Sequence, residues 1–182
     1  MQTPSPHVIL DFWFKELGAD AWFAKSDATD FLIRQRFSAL NSTAMSGGLE
    51  VWRSNAQGRL AEIIVLDQFS RNMFRDDSRA FAGDPLALAL AQEAVELRLD
   101  QDLAPQERAF LYMPFMHSEL PEAHDQALIL FDAPGLEFNL NFEKKHKAII
   151  DRFGRYPHRN EVLGRTSTNE ELIFLTQEGS SF

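Results

Sequence analysis

Cysteine is absent from this 182-residue chain, which excludes disulfides, thiol catalysis and any zinc or iron–sulfur site built on thiolates. Long apolar runs are missing too, since none approaches the ~20 residues of a membrane-spanning helix. Lysine is scarce: it occurs at positions 15, 25, 144, 145 and 147, and every other cation is arginine. Nor is there an excess of basic charge. The formal net charge is −9 with a pI near 5.0, which argues against nucleic acid as a partner because phosphate contacts need a positive surface. The opening Met1-Gln2-Thr3-Pro4-Ser5-Pro6 carries no basic segment. No secretory signal is therefore expected, and the default location is the cytoplasm.

What the chain does have is apolar bulk. Hydrophobic residues make up 45% of it, with 16 Phe and 3 Trp, enough for one globular domain with an aromatic core. Apolar spacing is helical nearly throughout, and no alternating strand pattern appears. Ser5 and Pro6 start a first helix that Gly18 stops, and a second fits from Ser26 to Met45 before Gly47-Gly48. A third covers roughly Arg59 to Phe74. Asp84-Pro85 reads as cap and first turn of a helix reaching about Leu99. Others begin at Pro105, with Pro114 inside, at Pro121, and at Phe138, the last ended by Gly154. Ser167 with Glu170 resembles a capping box for the final helix. The expectation is a single all-α domain spanning 1–182, with about eight helices in an irregular bundle or stacked helical hairpins.

Polar residues interrupt this pattern in three places. On the Arg59–Phe74 helix, apolar on nearly all sides and so expected to be central, Asp67 and Arg71 share a stripe one turn apart, with Gln68 and Asn72 beside them. Either they pair internally to fix helix packing or they expose donors to a pocket. His117-Ser118-Glu119 stands at the end of the Pro105 helix. The segment Gly154-Arg155-Tyr156-Pro157-His158-Arg159-Asn160 gathers arginine forks and an imidazole at a turn. Such groups can form an anion site or bond the carbonyls of neighbouring helices. His146, on the buried face of its helix, reads as a hydrogen-bonded core histidine.

No phosphate loop, nucleophile elbow or His-Glu-x-x-His motif is present. His117, Glu119, His124, His146 and His158 could supply a metal site only if the fold gathers them, and their spacing is not diagnostic. Neither metal nor cofactor is expected.

The chain is similar to the DUF924 family, a group of mostly bacterial proteins of unknown function. The similarity rests on Asp11-Phe12-Trp13-Phe14, on Leu66-Asp67-Gln68-Phe69-Ser70-Arg71-Asn72 and on Tyr112-Met113-Pro114-Phe115-Met116-His117-Ser118-Glu119. It continues through Arg152-Phe153-Gly154-Arg155-Tyr156-Pro157-His158-Arg159-Asn160 to Leu163-Gly164-Arg165-Thr166-Ser167-Thr168. The resemblance implies a helical fold of the tetratricopeptide-like superfamily and carries over no catalytic roles. The residues themselves suggest a pocket lined by Asp67, Arg71, Asn72, His117, Glu119, His158 and Arg159. A small anionic ligand would be held there by Arg71, Arg159 and Arg155. A hydrolase using His117 or His158 beside Glu119 is the first alternative. The second is a peptide-binding helical module with a groove lined by aromatics such as Trp13 or Trp22.

Overall fold

Several helix ends follow the local capping chemistry. In the computed structural model, which describes residues 3–182, α1 (Pro6–Asp11) runs without a break into a π-helical turn, Phe12–Leu17. Met1 and Gln2, the start of the segment read as lacking a signal, lie outside the described residues. Gly18, at φ 72°, stops the turn before α2 (Ala19–Trp22). The long α3 (Asp27–Met45) starts at Ser26, whose hydroxyl accepts from the Thr29 amide at 3.3 Å. A 3-10 turn, Glu50–Ser54, leads to α4 (Ala56–Ile64), capped by Asn55 through the Gly58 amide at 2.9 Å. Gly58 is required there, because a Cβ would lie 1.8 Å from the Trp52 carbonyl oxygen.

From α4 the chain passes through a second π turn, Val65–Phe69, into α5 (Ser70–Met73), so residues 56–73 form one central rod. Every residue from 61 to 70 is buried. The 3-10 turn Ser78–Phe81 precedes α6 (Asp84–Glu96), and the turn Leu99–Asp102 precedes α7 (Pro105–His117). Pro114 does not end α7, whose residues Ala109 to Met116 are all buried. Then come α8 (Pro121–Phe131), α9 (Glu137–Phe153), the 3-10 turn Pro157–Arg159 and α10 (Asn169–Leu175). Among the described residues there is no strand, and the fold is all-α. Among the described residues, no helix is long and apolar enough to cross a membrane.

The rod packs against α1, α3, α6 and α7, while α7, α8 and α9 pack on one another in sequence. Aromatic rings fill the centre: Phe69 meets Phe37 at 4.9 Å and Trp13 at 5.8 Å, and Trp13 meets Phe110 at 5.5 Å. A smaller cluster of Ile149, Ile150 and Tyr156 joins the end of α9 to the following turn.

Three local expectations need correction. Asp84 is the first helical residue rather than the cap, which is Gly83, and it makes no capping bond. The capping box at α10 is Thr168 with Glu171, one position later than Ser167 and Glu170. Ser5 precedes α1 without a side-chain cap bond, so Pro6 alone marks that start.

Candidate functional site

Asp67 lies within the π turn of the central rod and is 1% exposed. A π turn widens the helix by one residue and often occurs where a side chain must be presented out of register. Here it serves a buried carboxylate with three neighbours. Gln68 Nε2 donates to Asp67 Oδ2 at 2.5 Å, Arg71 Nη1 lies 2.9 Å from Oδ1, and His117 Nδ1 lies 2.7 Å from the same Oδ1. His117 reaches it from the last turn of α7.

Arg71 does not stop at Asp67. Its fork donates to both oxygens of Asp84, at 2.8 and 2.9 Å. On the other side of Asp84, Arg159 Nη1 approaches Oδ2 at 3.5 Å, while its Nη2 donates to the His117 carbonyl at 2.9 Å. The Arg159 guanidinium lies over two rings, 4.5 Å from the centroids of both Phe81 and Tyr156. Its Nε is buried and has no hydrogen-bond partner among the described residues. Four separate elements thus meet at two carboxylates, two guanidiniums and one imidazole.

Charges in this cluster balance, which sets the protonation of His117. Burial raises the pKa of Asp67, but Arg71, His117 and Gln68 outweigh it and leave the carboxyl well below its ordinary range. Burial pushes His117 below the usual imidazole value, and the Arg71 charge adds to this against the pull of Asp67. Because Arg71 already neutralises Asp67, the imidazole has no unshared anion to hold a second proton. His117 is therefore neutral at pH 7, with the Nδ1 hydrogen donated to Asp67. Its Nε2 has no partner among the described residues and is not sealed from solvent; the side chain is 16% exposed.

Other expected site residues lie beside this cluster or away from it. Glu119 binds Arg165 bidentately at 2.7 and 2.9 Å and accepts from the Tyr156 amide at 2.8 Å, so it ties the 156–165 segment to α7. Arg155 forks onto buried Glu171 at 2.7 and 2.8 Å and donates to the Thr166 carbonyl. Asn72 turns to α3 instead, donating to Asp30 at 2.8 Å beside Arg75. Only Asp67, Arg71, His117 and Arg159 meet in one cluster. His158 is adjacent, its imidazole lowered to about 4 chiefly by burial, and its buried Nδ1 has no partner.

Asp84, Phe81 and Tyr156 are members that the sequence did not single out for the site. Asp84 was hidden behind its plausible role as a helix cap. Its spacing from Arg71 carried no signal, because the contact crosses a turn and a helix start.

A second acid–imidazole pair is sealed in the interior. His124 Nδ1 lies 2.7 Å from Glu143 Oε1 and Nε2 donates to the Ser118 carbonyl at 2.8 Å, with both side chains 0% exposed. Among the described residues, no group of three or more His, Asp or Glu side chains is placed to hold a metal. A groove of about 460 Å³ runs between α3 and the turn before α6, bordered by Met45, Phe74, Arg79 and Ala82. It contains none of the clustered residues, and Trp13 is buried in the core.

No curated protein matches the chain. A solved structure of a protein of unknown function from Agrobacterium tumefaciens superimposes with a TM-score of 0.89 at 39% identity, covering 93% of this chain and 96% of that one. Residues 9–179 match the family described as bacterial protein of unknown function, DUF924. The polar runs around Asp67, His117 and Arg159 fall inside that span, and the chain belongs to the DUF924 family.

Proposed function

We propose that the protein is an acid–base enzyme of hydrolase type acting on a small anionic substrate, with His117 as its base. One observation carries this reading: Asp67 holds Nδ1 of a neutral imidazole at 2.7 Å while Nε2 is left without a protein partner. A carboxylate on one ring nitrogen fixes the tautomer and directs the lone pair of the other outward, as proton abstraction requires. Nε2 would take a proton from water as the water oxygen attacks the substrate, then return it to the leaving group. Asp67 remains ionised throughout because Arg71 stabilises its charge. The unpartnered Nε of Arg159 offers a donor to an anionic oxygen. Glu119 and Arg155 have no part in this reading, since their charges are already matched by Arg165 and Glu171.

The test is hydrolysis of a panel of carboxylic and phosphoric esters by the full chain and by His117→Gln. The expected result is a turnover that His117→Gln loses by about 10²–10⁴-fold, the usual worth of a positioned base. Equal rates for the two proteins on every substrate turned over would sink the proposal. The unpartnered Arg159 Nε also favours a second reading, binding of an anion without turnover. In that case phosphate or benzoate raises the melting temperature of the wild type and not of Arg159→Met, while the ester panel stays silent.

A further inference from the structure

We propose that His146, His158 and Tyr156 form a slot for the flat ring of an aromatic ligand, and that Phe182 occupies it in the free protein. The Phe182 ring stacks on the His146 imidazole with centroids 3.8 Å apart and planes 24° from parallel, and meets His158 edge-on at 6.4 Å. Tyr156 backs both imidazoles, at 5.8 and 5.5 Å.

Two of the walls, His146 and Tyr156, are held by hydrogen bonds, and the occupant is not. His146 Nδ1 donates to the Phe142 carbonyl at 2.8 Å, and the Tyr156 hydroxyl donates to the Met116 carbonyl at 2.6 Å. Burial keeps both imidazoles neutral, which suits stacking against an uncharged ring. By contrast, beyond the Gln177 amide the 178–182 segment has one hydrogen bond among the described residues, from Ser180 Oγ to the Leu175 carbonyl at 3.2 Å. Phe182 itself is 49% exposed. A segment with so few ties opens locally at little cost.

His158 adds a polar complement, since its buried Nδ1 has no partner. The slot adjoins the Asp67–His117 cluster through Tyr156, whose ring lies under the Arg159 guanidinium. It does not depend on proton transfer at His117.

The experiment records the His146 and His158 ring resonances by NMR in the wild type, in Phe182→Ala and in a chain ending at Gly179. N-acetylphenylalaninamide is titrated into each. Loss of the stacked phenyl should shift the His146 ring protons downfield in both variants. The probe should then move both histidines saturably, with an affinity roughly three- to tenfold above that for the wild type, the worth of one displaced aromatic pair. Unchanged histidine resonances in the variants would show that Phe182 does not fill the slot. Equal affinity in all three proteins, or no binding to either variant, would overturn the proposal.

Discussion

His117 and His124 each hold a carboxylate oxygen at 2.7 Å through Nδ1, yet the surroundings give the two imidazoles different chemistry. Around His117, Arg71 neutralises the acid and Nε2 is left open. Glu143 has no arginine partner among the described residues, and His124 Nε2 is spent on the Ser118 carbonyl. Burial then drives Glu143 above the ordinary carboxylate range, against the opposing pull of His124. The first pair keeps a fixed charge and a free nitrogen. The second leaves neither ring nitrogen free, and its role is to join α8 and α9 to the end of α7. A short acid–imidazole contact is thus no signature of a site until the second nitrogen has been followed to its partner.

Breaking each pair should therefore read out differently. The largest effect is expected on stability at the sealed pair. His124→Ala strands Glu143 without a partner in a dry interior and opens a cavity, and should cost about 3–5 kcal/mol of unfolding free energy by urea denaturation. A loss below about 1 kcal/mol would mean that water reaches Glu143, contrary to its full burial. At the open pair the balance reverses. His117→Gln can still donate to Asp67 and should keep stability within about 1–2 kcal/mol, the range of one hydrogen bond. The loss of turnover proposed above would fall on the same variant. A stability loss as large as that of His124→Ala would place His117 among the structural histidines.

How much of this could be read beforehand depends on whether the relevant contact was local. Ser26, Gly154 and the prolines at helix starts announced their elements because capping chemistry lies within a few residues. Asp67 and Arg71 were legible as an i,i+4 pair for the same reason. The π turn was not, because its widening leaves no local composition signal, and a wheel drawn at a constant angle drifts beyond it. Asn72, expected at the site, points instead to Asp30 on α3, where Arg75 joins it. Asp84 and Glu119 show the other failure. A carboxylate beside a helix start or end has several local uses, and only the tertiary fold reveals that Arg71 and Arg165 claim these two.

The smallest predicted effect is a difference in pH dependence, and it separates the pairs by sign. The fold lowers the pKa of His117 below 6.5, so below that pH the unfolded chain binds a proton that the folded chain refuses. Stability held at neutral pH is then lost as pH falls from 6.5, by at most about 1.4 kcal/mol per pH unit for each such group. His146, lowered to about 3, and His158, lowered to about 4, act in the same direction. Glu143 acts in the opposite one. Its pKa is raised above 4.5 in the fold, so its contribution is full below pH 4.5 and fades as pH rises through the folded value. Urea unfolding between pH 4.5 and 8 should show His117→Gln flattening the acid side of the stability profile. Glu143→Gln, which mimics the protonated acid, should flatten the alkaline side. If His117→Gln instead flattened the alkaline side, the imidazole would be charged in the folded state, and a base at His117 would have no lone pair to offer at neutral pH.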